Sequence, residues 1–115
     1  MIMATIKSYT DIERSKVLAE ILPLDSADYF YKYCIGHYNS IYYRLETYPY
    51  NKGGNKNHDI PCWSLAALLD ALPNGNMLVK TTDGKYYCIV KDIMTKHYDN
   101  PIDACYETIK EMFKI

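Results

Sequence analysis

Residues 29–48 read Tyr29-Phe30-Tyr31-Lys32-Tyr33-Cys34-Ile35-Gly36-His37-Tyr38-Asn39-Ser40-Ile41-Tyr42-Tyr43-Arg44-Leu45-Glu46-Thr47-Tyr48. Tyr29, Tyr31, Tyr33 and Ile35 alternate with Phe30, Lys32 and Cys34, the period of two that a strand requires. Gly36 to Ser40 has turn character. Ile41, Tyr43, Leu45 and Thr47 then alternate with Tyr42, Arg44, Glu46 and Tyr48, a second strand expected to run antiparallel to the first. Tyr29, Tyr31 and Tyr33 share one strand face, and Tyr43 is positioned to join them across the pair. Tyrosine is heavily used throughout the chain, with 13 in 115 residues against one Trp and two Phe. A tyrosine joins a large apolar ring to a hydroxyl that needs a partner, so such an excess suits a half-wet sheet or a recognition surface.

Helical signals flank this pair. Thr10-Asp11-Ile12-Glu13 has the form of a capping box, and Leu18, Ile21 and Leu22 follow at helical spacing up to Pro23, predicting a helix over about residues 11–22. Leu65, Leu68, Leu69 and Leu72 form an amphipathic stripe that predicts a second helix over about 61–72, capped by Asp59 or Ser64 and ended by Pro73. Met77–Thr82 and Lys85–Lys91 flank Asp83-Gly84, a signal for a type I′ hairpin that would lie centrally in the sheet. Asn100 as N-cap and Pro101 at the first helical position open a third helix, with Ile102, Cys105, Ile109, Met112 and Phe113 as its apolar stripe.

The expected fold class is therefore α+β: a single small domain over 1–115, in the order α-β-β-α-β-β-α, with an antiparallel sheet and helices on one face. Residues 49–59, rich in Asn, Gly and Lys, are expected to form a mobile loop. Val17–Pro23 and Ala67–Pro73 are similar, each a helix ending in Leu-Pro before a hairpin, which allows a duplicated α-β-β unit.

Lys plus Arg number 13 and Asp plus Glu 14, a formal net charge of −1. That balance offers no general field for nucleic acid or an anionic membrane. No apolar run has the length of a membrane span. The first residues lack the charged flank of a signal peptide. Cys34, Cys62, Cys88 and Cys105 are widely spaced and fit reduced thiols in a cytoplasmic setting.

Two longer segments carry a resemblance, Ile60-Pro61-Cys62-Trp63-Ser64-Leu65-Ala66-Ala67-Leu68-Leu69-Asp70-Ala71-Leu72-Pro73 and Asp99-Asn100-Pro101-Ile102-Asp103-Ala104-Cys105-Tyr106-Glu107. Together with Lys16–Pro23, they resemble a family of short hypothetical proteins from Bacteroides-type gut bacteria and their phages. The resemblance covers the three helices and fades in the tyrosine-rich strands. It implies a provenance, an accessory gene of a gut bacterium or phage, and assigns no catalytic residue.

Cys62 is the candidate nucleophile, because a thiol near a helix N-terminus has a lowered pKa, with His58 or His97 as its base. Against this, a free cysteine beside Trp63 is commonly a small buried hydrophobe. His37, His58 and His97 with a cysteine could be assembled into a metal site, but no ligand spacing such as C-x-x-C or H-E-x-x-H is present. Carboxylate pairs such as Asp25/Asp28 and Glu107/Glu111 fit solvated faces and helix ends. No phosphate-binding or nucleophile-elbow motif occurs, and no cofactor is expected.

The remaining candidate is the tyrosine face: Tyr29, Tyr31, Tyr33 and Tyr43. Covered by helices it is a core layer; open, it is a platform for a protein partner, a small nucleotide or single-stranded nucleic acid. The leading expectation is a non-enzymatic binding protein of phage or mobile-element origin with an anti-defence role, binding a host protein or small nucleotide there and able to self-associate. The alternatives are a cysteine-dependent enzyme using Cys62 and a single-stranded nucleic-acid-binding domain. The neutral charge balance disfavours nucleic acid.

Overall fold

The computed structural model describes residues 8–47, 59–73, 75–91 and 93–113. Among them lie three α-helices, α1 (Ile12–Ile21), α2 (Leu65–Ala71) and α3 (Pro101–Met112). Six strands accompany them: β1 (Tyr29–Ile35), β2 (Ile41–Thr47), β3 (Ile60–Cys62), β4 (Met77–Lys80), β5 (Tyr86–Val90) and β6 (Ile93–Met94). The α+β class and the order of helices and hairpins agree with the sequence reading. The strands, however, form two antiparallel sheets of three, ordered β2-β1-β3 and β4-β5-β6. The second hairpin thus builds its own sheet and does not sit centrally in a common one.

Local chemistry explains the boundaries. The α1 cap is Asp11, whose carboxylate accepts from the Arg14 N–H at 2.8 Å. Thr10, expected to cap, is wholly buried and its hydroxyl is used elsewhere. Ser64 caps α2, accepting from the Ala67 N–H at 3.2 Å, and Asn100 caps α3, accepting from the Asp103 N–H at 2.9 Å. Pro101 at the first turn of α3 gives up an N–H that would have no intrahelical partner.

Pro61 and Cys62, expected to begin the second helix, belong to β3 instead, and α2 starts at Leu65. Pro61 removes a ladder donor, which a strand tolerates at a sheet edge, and β3 is an edge. The β4–β5 turn also departs from expectation. Gly84 has φ 86° but Asp83 is not in the left-handed region, so the turn is not type I′. Thr81 and Lys85 close a three-residue loop, with the Thr81 N–H donating to the Lys85 carbonyl at 2.8 Å.

The core lies between the three helices and β5. Leu18, Leu22, Ala27, Trp63, Leu68, Leu72, Cys88, Ile102, Cys105 and Ile109 form its buried cluster. Arg14 ties α1 to α3, reaching Asp11 at 2.7 Å and Asp103 at 3.2 Å with its guanidinium over the Tyr106 ring. The similar Leu-Pro segments end α1 and α2 alike, and Leu22 and Leu72 are both buried. The sheets that follow differ in order: the first strand is central in one and the second strand in the other. No helix of the described residues is long and apolar enough to cross a membrane.

Candidate binding surface

The β1–β2 hairpin pairs in full register, from Tyr29 opposite Thr47 to Ile35 opposite Ile41. Directly opposed residues share a face, so Tyr29, Tyr31, Tyr33 and Tyr43 do lie on one side of the sheet, as their alternation requires. The Tyr33 and Tyr43 rings meet edge-on with centroids 5.9 Å apart.

The face is covered at one end and open at the other. At the β3 end, Tyr9 packs its ring 5.2 Å from that of Tyr29. The Tyr31 hydroxyl donates to the Thr10 carbonyl at 2.6 Å. Tyr29 and Tyr31 therefore support the entry to α1. At the turn end, Ile35 and Ile41 are 64% and 60% exposed, and Tyr42 is 48% exposed on the opposite face. Tyr43 sits between, and Tyr38 at the turn is fully exposed.

The turn itself is tightly specified. The Gly36 N–H donates to the Ser40 carbonyl at 2.7 Å, and a Cβ on Gly36 would lie 2.9 Å from the Ser40 hydroxyl and 3.2 Å from the Tyr42 ring. Only glycine fits without a shift. Tyr38 and Asn39 then follow with φ 58° and 59°. Asparagine tolerates that left-handed region; an aromatic residue pays for it in steric strain.

The two edges of this sheet differ. On one side β3 pairs with Tyr29 to Tyr31. Beyond its end the buried Asp59 carboxylate accepts the Tyr33 N–H at 2.9 Å, which continues the ladder with a side chain. Asp59 therefore acts as a strand extension, and the remainder of the expected loop, 49–58, lies outside the described residues. On the other side, no strand of the described residues pairs with β2.

The thiol reading fares differently. Cys62 sits in β3, three residues before α2, and is wholly buried. Its thiol donates to the Thr10 carbonyl at 3.3 Å, beneath the Thr10–Ser15 hydroxyl pair at 2.7 Å. Burial pushes the Cys62 thiol up, outweighing those hydrogen bonds. A nucleophile needs the opposite, an accessible thiolate. His58 lies outside the described residues. His97 stacks on Tyr87 with centroids 4.9 Å apart, beside the second sheet. Cys88 and Cys105 are buried as well, and the Cys105 thiol is pushed up by the hydrogen bond it shares with Cys88 and by burial. All four cysteines are free thiols.

These raised groups set an alkaline limit on stability. Burial raises the Tyr31 phenol above its ordinary 10.0 and the Cys62 thiol above its ordinary 9.0. The folded state keeps both protonated while the unfolded chain releases the protons, so unfolding gains as pH rises. The stabilisation is complete below the ordinary thiol value and is lost progressively above it. Urea midpoints are expected to hold up to about pH 8 and fall from about pH 9 upward. Tyr31→Phe should flatten the upper part of that fall.

A cleft of about 640 Å³ opens between the second sheet and α3, lined by Val90, Met94, Tyr98 and Met112 with Lys91, Lys96, Glu107 and Glu111. Its charges are mixed in sign. Among the described residues, no three His, Cys, Asp or Glu side chains gather as a metal site would need. Compared with protein-family models, curated proteins and solved structures, the chain matches none.

Proposed function

We propose that the protein is a non-enzymatic binding module that docks a protein partner on the turn end of its β1–β2 hairpin. The observation that carries this reading is the exposed apolar end formed by Ile35, Tyr38, Ile41, Tyr42 and Tyr43. Clustered exposed aromatic and aliphatic side chains are the usual anchors of protein interfaces. Tyr38 adds a second argument. It holds a strained backbone with its ring in solvent, and strain of that kind persists where function selects the side chain.

Of the four sequence candidates, Tyr43 belongs to this surface with the half-buried Tyr33 ring packed edge-on against it, while Tyr29 and Tyr31 stabilise the hairpin's base. The net charge of −1 favours a protein over nucleic acid. The buried Cys62 disfavours thiol catalysis. Four free thiols fit a cytoplasmic setting. The resemblance of the helical segments to short proteins of gut bacteria and phages is the ground for taking the partner as a host protein and the role as anti-defence.

The test is isolation of the partner with the wild-type chain, followed by titration of the purified pair. Ile35→Asp is expected to weaken binding about a hundredfold, the scale of a central interface residue. Equal affinity with an intact fold would place the docking surface elsewhere.

A further inference from the structure

Among the described residues, the edge of β2 away from β1 has no strand partner. The Gly36 N–H to Ser40 carbonyl bond fixes which β2 groups face β1. From Ser40 the even-numbered residues Tyr42, Arg44 and Glu46 turn their backbone groups to β1. Ile41, Tyr43, Leu45 and Thr47 therefore aim theirs away from β1. The Tyr33 N–H bond to Asp59, on the far side of β1, obeys the same alternation.

This edge is seven residues long and has no proline and no lysine. Long, apolar edge strands are templates for another strand unless such devices blunt them. Its only charges are Arg44 and Glu46, which are opposite in sign and two residues apart. Both lie on the same face, with the Arg44 Nε donating to Glu46 at 2.9 Å.

We propose that β2 pairs antiparallel with β2 of a second copy of this chain, joining two three-stranded sheets into one of six strands. A two-fold axis perpendicular to the sheet must pass through a residue, since opposed residues share a face. Centring on Arg44 sets Arg44 against its own copy, a like-charge pair. Centring on Leu45 sets Arg44 against Glu46 of the other copy, twice by symmetry, and packs Leu45 on Leu45. Charge complementarity selects the Leu45 register. Tyr43 lies in both the paired segment and the docking end, whereas Ile35 and Tyr38 stand outside the paired segment, so Ile35→Asp probes partner docking and Arg44→Glu probes self-pairing.

Sedimentation equilibrium of the full chain over a concentration series tests this. The wild type is expected to give the mass of two chains at micromolar concentration. Arg44→Glu should raise the dimer dissociation constant at least about tenfold, the effect of turning two cross-strand attractions into repulsions. The charge swap Arg44→Glu with Glu46→Arg should restore the dimer, which separates loss of pairing from loss of fold. Leu45→Cys in a Cys34→Ser background should form an inter-chain disulfide under mild oxidation, since opposed residues across a ladder lie within disulfide reach. A monomer at every concentration overturns the proposal, as does a dimer indifferent to Arg44→Glu.

Discussion

Replacing Trp63 with alanine lowers the free energy of unfolding by about 3–5 kcal/mol, the range for deleting a large buried aromatic. Trp63 is wholly buried and belongs to the cluster that joins α1, α2, α3 and β5. Its indole N–H donates to the Ser26 hydroxyl at 3.0 Å, so the side chain is fixed at its polar end too. Domains of this kind hold only about 5–15 kcal/mol in all. The variant is therefore expected to be partly unfolded at physiological temperature, with a large drop in its urea midpoint. Trp63→Phe keeps most of the apolar volume and should retain a cooperative transition at reduced stability. A midpoint for Trp63→Ala close to the wild type would mean that the helices do not share this core.

Thr10→Val is the second large effect, expected at about 2–3 kcal/mol although the side chains have nearly the same shape. The Thr10 hydroxyl accepts the Trp63 N–H at 3.2 Å and pairs with the Ser15 hydroxyl at 2.7 Å. The Thr10 N–H donates to the Trp63 carbonyl at 2.9 Å. Valine keeps the backbone bond but leaves the buried Trp63 N–H without its acceptor and the Ser15 hydroxyl with the Thr10 carbonyl, at 3.4 Å, as a weaker partner. Unfulfilled buried donors cost more than the net worth of the bond they made. Thr10→Val with Ser15→Ala removes the hydroxyl left with that weaker partner and should recover part of the loss in chemical denaturation. Additive loss in the double variant would show that the hydroxyl pair is not a coupled unit.

The same residue shows where sequence reasoning stops. Thr10 and Glu13 have capping-box spacing, yet Asp11 caps the helix because Thr10 is drawn to Trp63, 53 positions along the chain. A local motif lost to a long-range hydrogen bond. Where the signal is purely local, the reading held: Asn100 and Pro101 open α3, and the alternation of Tyr29–Ile35 and Ile41–Thr47 gives β1 and β2 as an antiparallel pair.

Other features depend on what lies opposite. β3 has three residues and contains Pro61, too short for a period of two to emerge beside the leucine stripe that follows. Asp59, read as the end of the loop or as a cap for the second helix, instead receives the Tyr33 N–H, and Ser64 supplies the cap. The strands divide into two sheets because β4 and β5 find β6 and not β1, a choice made by chain packing that no single segment records.

The candidate surface was half legible for a related reason. Alternation assigns Tyr29, Tyr31, Tyr33 and Tyr43 to one face, but it does not say what covers that face. Tyr9 and Thr10 cover the base end. The exposed end extends instead to Ile35, Tyr38, Ile41 and Tyr42, which the sequence presented as strand ends and turn. The signal that could have singled out Tyr38 is its place in the five-residue turn Gly36–Ser40. There, small or polar residues are favoured and an aromatic one is out of keeping.

The central claim is that the turn end of the hairpin docks a protein, and Tyr38→Gly tests it most directly when stability and partner affinity are measured on one preparation. Glycine adopts φ near 58° without strain, so the variant should unfold at higher urea, with a gain of about 0.5–1 kcal/mol. The same variant loses an exposed anchor ring, so calorimetric titration with the purified partner should show about tenfold or greater weakening. Higher stability with lower affinity is the predicted result; unchanged affinity in a well-folded Tyr38→Gly protein would contradict the account.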